Sequence, residues 1–226
     1  MSTILSLDPS PGTTGYALFR DGIIIRAGFN ETDEIAEDGA RWVQAAKWLI
    51  GMIRRERPDL ILIEDFFFSG KFANGANTNC EIRGIYKAIA ALKKIPYVGM
   101  NQSEWKRLVA GRSTPTKNQV QRWGKQKAKK KFIVEALKIK HGIDCPSKSL
   151  NQKTNRPNDF KFDVSDAIGI LIAYFLKQGV GYNTGPHIWD FTVVEEGNEG
   201  ILKSRTRRNG KNLSKNQRKR TQGKLA

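Results

Sequence analysis

Four acidic residues stand where a carboxylate is costly to place or poorly explained by local structure. Asp8 closes the apolar run that starts at Thr3 and precedes the turn-forming stretch Pro9-Ser10-Pro11-Gly12. Glu64, with Asp65 beside it, interrupts Leu60-Ile61-Leu62-Ile63 and Phe66-Phe67-Phe68. Asp163 and Asp166 lie three apart at the head of a long apolar stretch, which places both on one helical face one turn apart. A buried carboxylate without a partner costs several kcal/mol or stays protonated. Two acids on one face repel each other unless a cation lies between them. Oxygen-rich sets of this kind prefer Mg²⁺ or Mn²⁺. Two such ions about 4 Å apart can activate water and stabilise the leaving oxygen of a phosphodiester.

Each acid also has an ordinary explanation. Asp8 suits an Asx turn before Pro9, Glu64 a water-exposed strand end, and Asp163 a helix cap. Capping accounts poorly for Asp166, whose helix face should be buried. Asp65 points away from Glu64 by the two-residue strand period and is the less suitable ligand.

The elements that must carry these acids read as an α/β pattern. Thr3–Asp8 is an apolar strand, and Gly15–Arg20 and Ile23–Phe29 flank Asp21-Gly22, a two-residue hairpin signal. Thr32 is the expected N-cap of a helix whose apolar period runs to Arg57 and stops at Pro58. Asp59–Phe68 reads as a buried central strand and Asn74–Lys94 as a helix. Pro96–Met100 is a short strand, Ser103–Ala110 a short helix, and Lys117–Lys140 one long basic helix. His141–Asp159 reads as loop, Asp163–Lys177 as a final apolar helix, and the chain after Gly179 as an appendage. A hairpin followed by alternating strands and helices predicts a mixed sheet covered by helices.

Charge narrows the partner. The 226 residues carry a net charge of +17, and 39% are hydrophobic, enough for a sizeable core. Ten of the excess positive charges fall in Leu202–Ala226, which holds no acid and three large apolar residues. That tail cannot pack a core and is expected to be flexible. A second run, Arg122–Lys140, has eight basic residues and one acid. Two such runs favour a nucleic-acid backbone over a merely solvated surface. Only Cys80 and Cys145 are present, and the two histidines, His141 and His187, stand apart. Neither a disulfide framework nor a zinc site is expected. No stretch is long enough for a membrane span or shaped as a secretory signal, so an intracellular, cytoplasmic protein is expected.

In order and context, these motifs resemble RuvC-type Holliday junction resolvases of the RNase H-like superfamily. The opening Ile4-Leu5-Ser6-Leu7-Asp8-Pro9-Ser10-Pro11-Gly12-Thr13-Thr14-Gly15 is similar to the family's first acidic strand, and Leu62-Ile63-Glu64-Asp65-Phe66-Phe67 to its second. Asn101–Gly111 with Thr116–Val120 resembles its two-lysine segment, and Asp163-Val164-Ser165-Asp166-Ala167 its closing helix. The resemblance spans roughly residues 3–178. It implies an RNase H-like mixed five-stranded sheet flanked by helices, in a homodimer that nicks four-way DNA junctions symmetrically with Mg²⁺ or Mn²⁺, two ions per site. By position, Asp8, Glu64, Asp163 and Asp166 would be metal ligands, and Lys106 and Lys117 would lie at the scissile phosphate. Phe67 would stack on an unpaired base, although an aromatic of an apolar strand serves equally well as core. Arg122, Lys125 and Lys127 are the expected further DNA contacts.

The expected organisation is a nuclease domain over 1–180 with a basic insertion at about 122–161, followed by a basic extension over 181–226. Insertion and tail resemble additions of a virus- or phage-type relative, whose activity would extend to other branched DNA. The alternatives are another RNase H-like nuclease, acting on flaps, RNA–DNA hybrids or in transposition, and a non-catalytic DNA-binding module on the same fold. An actin/sugar-kinase-fold ATPase shares the Asp-x-Gly-Thr-Thr style of opening. That fold needs two such domains and leaves the +17 charge unexplained.

Overall fold

A computed structural model describes residues 2–32, 39–65, 73–150 and 157–191. Phe67 and the Leu202–Ala226 tail lie outside the described residues. Met1–Cys145 and Lys161–Asp190 form one compact unit, which carries all four acids. Its sheet has the order β5-β4-β1-β2-β3-β8. These strands are β1 (Thr3–Pro9), β2 (Thr13–Arg20), β3 (Ile23–Glu31), β4 (Leu60–Asp65), β5 (Tyr97–Asn101) and β8 (Asn183–Thr184). The first three form an antiparallel meander, while β4 and β5 add in parallel beside β1. Asp21 and Gly22 take φ of 50° and 89°, the left-handed pair that a tight twisted hairpin needs.

Helices cover both faces. Against one lie α1 (Ala40–Glu56) and α2 (Ala73–Leu92), whose Leu49, Met52, Ile82 and Tyr86 pack on Leu5, Leu7, Ile61 and Ile63. The other face takes α6 (Phe162–Gln178), which contacts β1, β2, α3 (Gln102–Ala110) and α5 (Lys125–His141). Neighbours on several sides explain why α6 is apolar almost all round its circumference.

Several expectations are corrected. Thr32 does not cap α1; its hydroxyl donates to the Pro11 carbonyl, 2.8 Å, and α1 begins after Gly39. The single helix expected over Lys117–Lys140 breaks into α4 (Lys117–Trp123) and α5 at Gly124, whose φ of 76° and ψ of 153° leave helical geometry for a region only glycine visits readily. Within the expected loop, β6 (Lys148–Leu150) and β7 (Pro157–Asp159) pair as a small hairpin, part of a second compact unit. Beyond Gly179 the chain is not merely appended. β8 makes a two-residue sixth strand beside β3, Asn183 N–H donates to Gly22 O at 2.8 Å, and Ile188 is buried. The start of the β3 edge, at Ile23 and Ile24, is thereby covered.

Candidate active site

The carboxylates are assembled by register and one close helix contact. β1 and β4 run parallel with Leu7 opposite Ile63, so Asp8 and Glu64 follow side by side at the strands' carboxyl ends. Alternation sends Leu5, Leu7, Ile61 and Ile63 to the α1–α2 core, and Ser6, Asp8, Leu62 and Glu64 to the opposite face. Ser6 reports that face directly: its hydroxyl donates to the Ala167 carbonyl of α6 at 2.8 Å. Gly15, paired with Asp8 across β1–β2, lets the first turn of α6 descend onto the sheet; a Cβ there would stand 2.0 Å from the Asp163 carbonyl oxygen.

Asp8 and Glu64 are buried side by side, and their carboxylate charges repel each other. Burial, then the neighbouring Glu64 charge, holds Asp8 well above the usual carboxylate range; Asp166 and Asp163 add to the effect. Burial lifts Asp166 to about 7 despite the opposing Lys106 ammonium, and raises Asp163 against the pull of Lys130 and Lys161. Asp166 Oδ1 is buried with no hydrogen-bond partner. Four mutually repelling acids with an unsatisfied oxygen suit a hard cation.

That fit is chemical rather than preformed. Among the described residues, no three Asp, Glu, His or Cys side chains stand in ligand geometry about one point. Protein cations and neutral donors take the carboxylate oxygens instead. Arg83 Nη2 meets Glu64 Oε2 at 3.1 Å, while Trp105 Nε1 and Gln102 Nε2 donate to Oε1 at 3.1 and 3.2 Å. Lys106, buried beside Trp105, brings its Nζ to 3.9 Å from Asp166 Oδ2.

The remaining expected residues lie farther along the basic segment. Lys117 is exposed at the start of α4, behind a capping box in which Thr116 and Gln119 satisfy each other's backbone N–H groups. Arg122, Lys125 and Lys127 are exposed, with Arg122 over the Trp123 ring at 5.3 Å. Asp65 pairs with Lys87 of α2 at 3.0 Å, on the side away from Glu64, as the strand period requires. His141 sits at the end of α5, bonded to Tyr182 and to the Val109 carbonyl.

Sequence reasoning passed over Arg83, Gln102, Trp105, Lys130 and Lys161, which supply the donors and cations around the acids. Gln102 and Trp105 occur inside the two-lysine motif and so carried a weak signal. Arg83 carried none.

No family model matches the chain. A crossover junction endodeoxyribonuclease RuvC of Synechococcus sp. (strain CC9605) is 33% identical over 121 residues, 52% of this chain and 77% of that protein. The chain belongs to the RuvC family. A second RuvC, from Carboxydothermus hydrogenoformans, is 26% identical over 180 residues, 78% of this chain and 97% of its own length. The fold agrees. Thermus thermophilus RuvC in complex with a Holliday junction substrate superposes with a TM-score of 0.54 at 14% identity, covering 79% of this chain and 95% of that one. Thermus thermophilus RuvC in a further structure gives 0.52 at 14% identity, covering 80% and 98%. The sheet flanked by helices is thus the RNase H-like arrangement expected, lengthened at one edge by β8.

Proposed function

We propose that this RuvC-family chain is a divalent-metal-dependent endonuclease that resolves four-way DNA junctions by paired, symmetric nicks. The observation that carries the reading is the mutual repulsion of Asp8, Glu64, Asp163 and Asp166 at one buried end of the sheet, with an orphaned Asp166 oxygen, in a chain of net charge +17. The relatives' name and the junction-bound neighbour support the same substrate.

Asp8, Glu64, Asp163 and Asp166 would hold Mg²⁺ or Mn²⁺, two ions in this reading, which supply Lewis-acid activation of water and charge neutralisation at the phosphate. The chain's own residues do the rest. Lys106 is fixed by burial beside Asp166, so its ammonium is available to charge building on the phosphate oxygens without reorganising. Lys117 would serve the scissile region from the start of α4, and Arg122, Lys125 and Lys127 the phosphates of an arm. Phe67 would stack on an unpaired base near the crossover. The basic stretch 122–161 and the Leu202–Ala226 tail act in this scheme as DNA-facing additions to the nuclease domain.

Symmetric nicking requires two sites, hence a homodimer. Support comes from exposed apolar side chains at the outer β5 edge and the end of α2, namely Tyr97, Val98 and Leu92. An intracellular setting follows from the DNA substrate. Labelled four-way, three-way, duplex and RNA–DNA hybrid substrates, with and without Mg²⁺, test the whole reading. Mg²⁺-dependent paired nicks with the four-way junction as preferred substrate are expected; preferential cutting of hybrid or plain duplex would replace the reading with another RNase H-like activity. Light scattering of the purified chain tests the dimer, and a monomer mass at micromolar concentration would remove it.

A further inference from the structure

Glu64 is gripped more tightly than the other three acids, and from two directions. Arg83, on α2, reaches it twice: Nε donates to the Glu64 carbonyl at 2.8 Å and Nη2 to its Oε2 at 3.1 Å. Both residues are buried, at 6% and 4% exposure. Arg83 Nη1 also donates to the Asn79 carbonyl at 3.4 Å, tying the guanidinium back to its own helix. From α3, Trp105 and Gln102 occupy the other carboxylate oxygen. Main chain and side chain of one residue are therefore fixed together by a planar fork, a geometry that lysine cannot copy.

We propose that Arg83 is a positioning residue for the catalytic centre, setting the aim of Glu64 so that the divalent cation meets one carboxylate already in place. The inference rests on the metal-ligand reading of Glu64 above. A buried ion pair is seldom a net source of stability, because desolvating both charges offsets their attraction, so stability alone explains this pair poorly. Groups that hydrogen-bond a ligating carboxylate orient it, and their loss weakens metal binding by about 10- to 100-fold. Arg83 is the charged member of that set at Glu64. Trp105 and Gln102 are its neutral members, and Trp105 adjoins Lys106, so one helix places both an orienting donor and a cation.

The test is Mn²⁺ binding to the full-length protein without DNA, followed by the electron paramagnetic resonance of the free ion. Arg83→Lys keeps the charge and loses the two-point hold; Arg83→Gln loses both. Expected is Mn²⁺ binding weakened about 10-fold by Arg83→Lys and up to about 100-fold by Arg83→Gln. Circular dichroism should stay native, and junction affinity in EDTA should stay at the wild-type value. Wild-type or tighter Mn²⁺ binding in folded Arg83→Lys would overturn the proposal, as would failure of both variants to fold, which would make Arg83 a structural brace. Absence of Mn²⁺ binding in the wild-type chain, with junction affinity intact, would instead overturn the metal-ligand reading beneath it.

Discussion

Gly15 and Asp163 touch so closely that a methyl group on the glycine would overlap the aspartate's carbonyl, at 2.0 Å from its oxygen. The atom opposed is backbone, which cannot swing aside as a flexible side chain would. Gly15→Ala should therefore push the first turn of α6 away from β2 and carry Asp163 and Asp166 with it. We expect a stability loss of about 1–3 kcal/mol, the usual scale of overpacking, and a larger proportional loss of cleavage. Thermal melts beside single-turnover cleavage check this; a variant with reduced stability but wild-type cleavage would separate the close approach from the site.

Glu64→Gln keeps the shape of the side chain and removes its charge. Junction binding in EDTA should be unchanged, while Mg²⁺-dependent nicking should fall by about 10²-fold or more, the scale seen on removing one electrostatic interaction with a transition state. Retained nicking would exclude Glu64 as an essential ligand.

The acids set a pH dependence whose sign can be worked out. Burial raises Asp8 and Asp163, and lifts Asp166 from an ordinary 3.8 to about 7. The folded chain therefore holds protons that the unfolded chain releases. The stabilising contribution of Asp166 is complete below the unfolded value and is lost as pH rises through about 7; Asp8 and Asp163 act in the same direction. In EDTA the melting temperature should be higher near about pH 5.5 than near about pH 8 as far as these groups decide it, and Asp166→Asn should flatten the difference. Added Mg²⁺ should raise the melting temperature more at the higher pH, where the ligands are ionised. An equal Mg²⁺ effect at both values would contradict the raised acids.

Deleting Leu202–Ala226 removes ten positive charges and no negative one. If the tail lies on DNA, affinity should fall and the slope of log K against log salt should flatten by about 0.9 for each phosphate that the tail neutralises. The melting temperature of the remainder should not move. Filter binding across a salt series measures the slope, and an unchanged slope would take the tail off the binding surface.

Much of this molecule could be read locally. Glu64 stood out because a charge inside an apolar strand needs a partner, and Asp163 and Asp166 because a three-residue spacing stacks them on one helical face, whereas Asp8 by itself read equally as a turn residue before Pro9. The Asp21-Gly22 hairpin was legible for the same reason: its backbone demands are met by adjacent residues. The break at Gly124 was missed because a glycine within a helical period is compatible with either a continuous helix or a stop. Only its neighbours' packing decides, and α4 folds back on α5.

The chain order alone thus names four acids and a basic surface, since both are properties of residue type and short-range period. Which strand lies beside which, and who neutralises Glu64, are not properties of that kind. The parallel pairing of β1 with β4 joins residues more than fifty positions apart, and Arg83, Gln102 and Trp105 reach one carboxylate from two helices. Such neighbours are selected by burying the whole apolar surface at once and by the cost of leaving any charge inside it unpaired, and no local stretch encodes either.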